Sequence, residues 1–210
     1  LSLYVAAAIA TGRPVLDRPP GQPLKVAYID VEMSRTELRD YLEEYGYGPD
    51  TDLANLRYLV DAPIPYLDTV EGGMEVVRWV EAVAPDVVFV DSITSVLQGE
   101  ENSNDAYQRL FNFTIAPLKR AGIPTVWTGN SGKDREKGSR GGSRKEDLMD
   151  CIWRMERQDG GVINLHNTKR RASWIPQKLV LQRDVADSGL ITYAVPDGDV
   201  NEIPVGAMDV

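Results

Sequence analysis

Short apolar runs alternate along the chain with stretches in which apolar residues recur at helical spacing. Four runs have the character of buried strands: "KVAYID" (25–30), "LRYLV" (56–60), "DVVFVD" (86–91) and "IPTVWTG" (123–129). Helices are predicted before the first of these strands, at 1–11, and between the strands, from Ser34 to about Tyr45, at 71–83 and at 105–120. Strands that alternate with helices in this way indicate βαβ units and a parallel sheet.

The pattern changes after residue 150. Four segments rich in β-branched and apolar residues follow one another across turn signals such as Asp159-Gly160-Gly161: "CIWRMER", "GVINLHNTK", "KLVLQRDV" and "LITYAV". They predict antiparallel strands that extend the sheet. The expected fold is therefore α/β, a mostly parallel sheet flanked by helices with antiparallel strands added at the C-terminal end. One domain is expected over 1–196, followed by a tail at 197–210.

Composition narrows the function classes. The chain has 210 residues, of which 42% are hydrophobic and 26% charged, so it is long enough and apolar enough for a globular core. Its net charge of −9 disfavours a protein that coats nucleic acid over its whole surface. The single cysteine and single histidine exclude an internal disulfide and the usual zinc sites. No apolar run approaches the ~18 residues of a membrane helix, so no membrane partner and a cytoplasmic location are expected.

Polar residues follow the predicted strands where ligands bind in α/β proteins, beyond the carboxyl ends of the strands. Asp30 and Glu32 follow the first strand, Asp91 the third, and Asn130 the fourth, while Lys169-Arg170-Arg171 ends a later segment. Carboxylates can hold Mg²⁺ through water or orient an attacking water, and an amide or a cation can contact a γ-phosphate. Each residue alone is equally compatible with a helix cap, but the set together favours a nucleotide site.

This arrangement resembles RecA-like ATPases, in the branch of hexameric replicative helicases of the DnaB and plasmid RepA type. "YIDVEMSRTEL" (28–38) is similar to the family's strand that ends in Glu-Met-Ser, and "PDVVFVDSI" (85–93) to its Walker B strand. "TGNSGKD" (128–134) occupies the place of the γ-phosphate sensor, where His or Gln is commoner than Asn. "NTKRRASWIP" (167–176) resembles the strand that supplies a Lys and an arginine finger to the neighbouring subunit.

The resemblance implies a role for each matched residue. Glu32 takes the place of the catalytic glutamate, Asp91 lies on the Mg²⁺ side, and Asn130 contacts nucleotide. Lys169 and Arg171 act on the nucleotide of a neighbouring subunit, with Arg171 as the catalytic finger. ATP and Mg²⁺ are the implied cofactors, and a homo-oligomeric ring is the implied assembly.

The phosphate-binding loop of such enzymes is not found in the sequence. Gly-x4-Gly-Lys-Ser/Thr, whose amides and lysine cradle the phosphates, does not occur in the 210 residues. In the family this loop directly precedes the helix that residues 1–11 resemble, and the first residue is Leu. We therefore expect a fragment or processed product that does not hydrolyse ATP by itself. The alternative is a domain that never had the loop.

A basic segment follows the sensor strand. "GKDREKGSRGGSRK" (132–145) holds six basic and two acidic residues in an otherwise acidic chain. RecA-like motors place a DNA-contacting loop here, so Lys133, Lys137, Arg140 and Arg144 are predicted to bind the phosphate backbone, with single-stranded DNA the expected partner. The alternative is a solvated surface loop.

The sequence thus predicts an ATP-driven nucleic-acid motor. Two other interpretations remain open at this point: a non-catalytic RecA-like interaction domain that docks a partner, and a recombinase-type RecA relative.

Overall fold

The computed structural model describes residues 1–60, 63–100, 103–130 and 143–196, with side chains from residue 146 onward in the last range. The helices are α1 (Ser2–Thr11), α2 (Arg35–Glu44), α3 (Val70–Val83), α4 (Asn104–Leu110), α5 (Ala116–Arg120) and α6 (Ser143–Leu148). The strands are β1 (Val26–Asp30), β2 (Leu56–Val60), β3 (Val87–Asp91), β4 (Thr125–Trp127), β5 (Cys151–Arg157), β6 (Val162–Arg170), β7 (Lys178–Val185) and β8 (Ile191–Ala194). No helix in these ranges is long and apolar enough to cross a membrane.

The first four strands form a parallel sheet in the order β2-β1-β3-β4. Every residue of β1 is buried, because this strand has neighbours on both sides and helices on both faces. The predicted α/β class is confirmed. The predicted start at Ser34 is confirmed as well: the side chains of Ser34 and Glu37 each accept from the other's backbone amide, a capping box that begins α2.

Helix α1 packs closely on one face of this sheet because its buried side is nearly all alanine. Leu3, Ala6, Ala7 and Ala10 lie against a layer that includes Tyr28 and other face residues of β1 and β3. The opposite face packs against α3, α4 and α5, in a cluster that contains the alternate residues of the same strands. The alternation of side chains along β1 therefore separates the core into two layers.

The C-terminal strands are antiparallel, as predicted, but they form a sheet of their own in the order β5-β6-β7-β8 and do not extend the parallel one. Short connections join these strands, so each pairs with its neighbour in sequence. Their apolar face, which includes Ile163, Leu181 and Tyr193, packs against Tyr4 of α1 and against Tyr45. The ring of Tyr4 meets those of Tyr45 and Tyr193 edge-on, at centroid distances of 5.3 and 5.0 Å. Residues 197–210 lie outside the described residues, so the boundary at 196 stays a prediction.

The helix predicted at 105–120 contains a π-helical segment, Phe111–Ile115, between α4 and α5. Two contacts accompany it. Thr114 is fully buried and its hydroxyl donates to the carbonyl of Leu67 over 2.7 Å. Gly73 of α3 lies so close that a Cβ there would stand 2.5 Å from the carbonyl oxygen of Phe113. The π-helical backbone is thus packed directly against α3.

We expect Gly73→Ala to lower the free energy of unfolding by about 1 kcal/mol. Alanine favours helix by ~1 kcal/mol over glycine, but overpacking against fixed backbone costs about 1–3 kcal/mol and outweighs that gain. Urea unfolding checks the change, with Gly48→Ala as the control, because a Cβ at Gly48 would meet nothing within 4 Å. A Gly73→Ala variant as stable as the control would contradict the close packing.

Candidate nucleotide site at the carboxyl edge of the parallel sheet

The carboxyl ends of β1 and β3 bring the predicted acids together. The two strands pair in parallel with Asp30 directly opposite Asp91, and Glu32 follows two residues after Asp30. Strand β4 lies beside β3. Thr128 follows the last residue of β4, and its amide donates to the carbonyl of Val90 over 3.0 Å. The sequence argument for a shared edge is therefore matched by the register of the sheet.

Asp91 accepts hydrogen bonds from hydroxyls on three elements. Its Oδ2 accepts from Ser2 of α1 over 2.7 Å and from Tyr28 of β1 over 2.8 Å, and its Oδ1 accepts from Thr128. A carboxylate has about four lone-pair positions, so three donors fix its orientation and leave room for one further contact. The N-terminal end of α1 therefore lies at this edge.

Asp30 is buried, with only 3% of its surface exposed. Its Oδ1 accepts from the backbone amides of Glu32 and Met33, both over 2.9 Å, and its Oδ2 accepts from the hydroxyl of Tyr58 over 2.9 Å. The carboxylate thus shapes the turn that carries Glu32. Sequence reasoning noted Asp30 only as a strand end, since neither the amides nor Tyr58 can be assigned to it without the fold.

The tyrosine hydroxyls at these carboxylates are protonated donors at neutral pH. Burial, together with the negative charge of Asp91, raises the pKa of Tyr28 far above the ordinary tyrosine value. Burial and the charge of Asp30 do the same to the pKa of Tyr58. Each tyrosine therefore keeps its proton for the aspartate it contacts.

Glu32 is exposed, and its Oε1 is connected to the segment that follows β3. It accepts from Ser92 over 3.0 Å and from Ser95. The Ser92 hydroxyl also lies 2.9 Å from those of Thr94 and Ser95. Glu32 therefore lies beside Ser92, the residue after Asp91, although Glu32 follows β1 and Ser92 follows β3.

An ion pair formed by a buried carboxylate fixes the segment after β3. Asp68 is 1% exposed; its Oδ1 accepts from the amide of Gln98 over 2.7 Å and its Oδ2 pairs with Arg109 over 2.9 Å. The amide of Leu67 also bonds the carbonyl of Val96 over 2.8 Å. These contacts anchor the far end of the segment that presents Ser92 and Ser95 to Glu32.

The donor set at this edge suits a hard cation held mainly by water and phosphate. Across the described residues, no three His, Cys, Asp or Glu side chains are grouped so that they could hold a metal ion. Mg²⁺ in nucleotide sites is usually bound through one or two carboxylates, with phosphates and water completing the shell. Asp91, whose orientation is fixed by three hydroxyl donors, fits that requirement.

The predicted phosphate sensor, Asn130, is exposed three residues beyond the end of β4. It follows Thr128, which bonds Asp91, so it belongs to the same edge of the sheet. Its role as a nucleotide contact stays a prediction.

Lys169 and Arg171 lie with the second sheet. The Lys169 ammonium donates to the carbonyls of Glu146 and Asp147 at the end of α6, where a cation is favoured by the helix dipole. Arg171 pairs with Asp150 over 2.6 Å, and Lys119 bonds the other oxygen of the same carboxylate over 2.6 Å. The structure therefore gives these two cations partners different from those of Glu32 and Asp91.

The predicted nucleic-acid residues are not tested by the geometry. Lys133, Lys137 and Arg140 lie outside the described residues. Arg144 belongs to α6, but its side chain is also outside them.

In a parallel α/β sheet, ligands bind beyond the carboxyl ends of the strands, and here acids converge at that edge beside the start of a helix. The family model described as "AAA domain" matches residues 1–136. The chain belongs to this family, whose membership indicates a nucleotide-dependent ATPase. The match includes Asp30, Glu32, Asp91 and Asn130 and ends before Lys169 and Arg171. Comparison with the curated proteins finds no match.

We expect Asp150→Asn to lower stability slightly at neutral pH and not in acid. The hydrogen bond from Lys119, aided by the charges of Lys119 and Arg171, lowers the pKa of Asp150. Because the folded-state pKa is the lower one, the stabilisation is present above the unfolded value of about 3.9 and is lost as pH falls through the folded value. The group is half exposed, so the effect at pH 7 is about 0.5 kcal/mol or less.

Thermal unfolding of the wild type and Asp150→Asn across this pH range measures the difference. Asp50→Asn, at an exposed acid after α2, is the matched control. A stability difference that stays constant as the pH falls would contradict the ionic pairing.

Proposed function

We propose that this chain is the core of an ATP-driven nucleic-acid motor of the replicative helicase type, which works as a ring and binds ATP·Mg²⁺ between neighbouring subunits. The observation that carries the proposal is the convergence of Asp30, Glu32 and Asp91 at one edge of the sheet. Membership of the AAA domain family supports the ATPase part. The ring, the DNA and the helicase activity rest on the sequence resemblance.

Two carboxylates would divide the work at the nucleotide. Asp91, with its orientation fixed by three hydroxyls, would hold water molecules of the Mg²⁺ shell. Glu32, exposed beside Ser92, would orient the attacking water. The metal, when bound, would neutralise charge that develops on the phosphates.

The position of α1 supports a phosphate site at the same edge. Ser2, the first residue of α1, bonds Asp91, and helix N-termini favour phosphate through their free amides and dipole. A phosphate-binding loop that runs into α1 would place its amides beside Asp91. Since the 210 residues contain no Gly-x4-Gly-Lys-Ser/Thr, the chain by itself is not expected to hydrolyse ATP.

Arg171 would act on the nucleotide of a neighbouring subunit. Its side chain is 61% exposed, and its partner Asp150 is 50% exposed. Exposed ion pairs contribute little net free energy, so the guanidinium can exchange Asp150 for a phosphate at small cost. An arginine finger supplied in trans accelerates hydrolysis by about 10³-fold or more.

We expect Glu32→Gln and Arg171→Ala forms of the full-length gene product to be nearly inactive alone and to recover activity when mixed. In a mixed ring, some interfaces combine an intact Glu32 from one subunit with an intact Arg171 from the next. Steady-state ATP hydrolysis is measured before and after subunit exchange. Glu44→Gln and Arg157→Ala, at exposed positions on α2 and β5, control for loss of charge.

Two results would count against this arrangement. No recovery, with exchange verified by fluorescence energy transfer between labelled subunits, would remove the finger that acts in trans. Full activity of Glu32→Gln alone would remove the assigned catalytic carboxylate, whereas no hydrolysis by the unaltered full-length protein would favour a non-catalytic domain.

We expect replacement of Lys133, Lys137 and Arg140 by Ala to weaken single-stranded DNA binding and to flatten its salt dependence. For single strands, the slope of log K against log salt becomes shallower by about 0.7 for each phosphate that the protein no longer neutralises. ATP hydrolysis without DNA should survive, because no role at the nucleotide is assigned to these residues. Binding with an unchanged salt slope would indicate a surface loop that does not touch DNA.

A further inference from the structure

Two tyrosines of the parallel sheet repeat the same contact with the acids at its edge. Tyr28 of β1 donates to Asp91 on the neighbouring strand β3 over 2.8 Å, and Tyr58 of β2 donates to Asp30 on the neighbouring strand β1 over 2.9 Å. In each case the aspartate lies two residues further along the partner strand than the residue paired with the tyrosine. Such diagonal neighbours are within reach of an aromatic side chain.

The two rings belong to a stack that spans three strands. Tyr58, Tyr28 and Phe89 lie side by side with nearly parallel planes, at centroid distances of 4.8 and 5.7 Å. Tyr28 is fully buried, and the alanine face of α1 covers this layer of the core. Stacking and packing therefore hold each ring in place, so its hydroxyl lies at a fixed point relative to the carboxylate it contacts.

The two hydroxyls act on different parts of the candidate site. The Tyr28 hydroxyl bonds the same oxygen of Asp91 as Ser2 does, and so it sets the direction of the carboxylate assigned to the Mg²⁺ side. The Tyr58 hydroxyl donates to Oδ2 of Asp30. The Oδ1 of the same carboxylate accepts hydrogen bonds from the amides of Glu32 and Met33. The effect of Tyr58 therefore reaches Glu32 through the turn.

We propose that Tyr28 and Tyr58 are positioning residues for the ATPase reaction, Tyr28 for the metal carboxylate Asp91 and Tyr58 for the turn that presents Glu32. The inference rests on the proposed function of the same edge. A purely structural role for the tyrosines predicts equal losses of stability and no separate effects on metal binding and turnover.

The experiment uses Tyr28→Phe and Tyr58→Phe in the full-length gene product, which keep the rings and remove only the hydroxyls. Tyr45→Phe is the matched control, because this half-buried tyrosine hydrogen-bonds Tyr193 in the contact with the second sheet. Three quantities are measured: the thermal midpoint, Mn²⁺ affinity by electron paramagnetic resonance with a non-hydrolysable ATP analogue, and kcat and KM for ATP.

We expect Tyr28→Phe to weaken Mn²⁺ binding about tenfold, the size expected for loss of one hydrogen bond to a charged group. Tyr58→Phe should leave Mn²⁺ affinity within about twofold and should lower kcat about tenfold at unchanged KM, because only the aim of Glu32 is altered. All three variants should lose similar thermal stability.

Equal Mn²⁺ affinity and kcat in all three variants would overturn the positioning roles and leave the proposed function standing. Exchanged effects, with Tyr28 acting on kcat alone and Tyr58 on Mn²⁺ alone, would overturn the assignment of each tyrosine. A wild-type protein that neither binds Mn²⁺ with the analogue nor hydrolyses ATP would overturn the proposed function and this inference together.

Discussion

The parallel pairing of β1 with β3 determines where every acid of the candidate site lies. Their register places Asp30 opposite Asp91 and Tyr28 opposite Phe89. A slip of one residue would turn Asp30 toward the other face of the sheet and remove both tyrosine contacts. The register is held by two buried faces, one covered by α1 and the other by α3, α4 and α5. The site thus depends on the same side-chain alternation that forms the core.

A buried carboxylate at this position costs free energy that the site itself must offset. Asp30 loses most of its hydration and gains two amide donors and one hydroxyl. Replacement of its carboxylate by an apolar group would leave those donors without an acceptor, each at about 1–3 kcal/mol. A leucine at this position would be buried without the cost of desolvating a charge, but it could not accept the amides that form the turn before Glu32. The chain therefore keeps a polar network at the edge of an otherwise apolar layer.

The sequence allowed prediction of the parallel sheet and of the acids at its edge, because apolar runs and strand ends are local features. The hydrogen-bond partners of those acids could not be predicted from the sequence. Tyr58 reaches Asp30, and Ser92 reaches Glu32, only through pairings between strands that are distant in sequence. The antiparallel sheet gives a second example. Its short connections can be recognised in the sequence, but its packing on Tyr4 cannot.

Helix α1 connects the two halves of the proposed chemistry. At its start, Ser2 bonds Asp91, and one residue later Leu3 begins the alanine-rich side that packs on the parallel sheet. Tyr4 packs instead on the second sheet, where its ring contacts those of Tyr45 and Tyr193. That second sheet carries Lys169 and Arg171 beyond the residues that match the AAA domain family. One turn of a helix is stiff. The acids of the first sheet and the cations of the second sheet are therefore both held in place relative to α1. The positions of both are thereby fixed within the chain, and the proposed ring requires this if a cation of one subunit is to meet the proposed nucleotide site of the next.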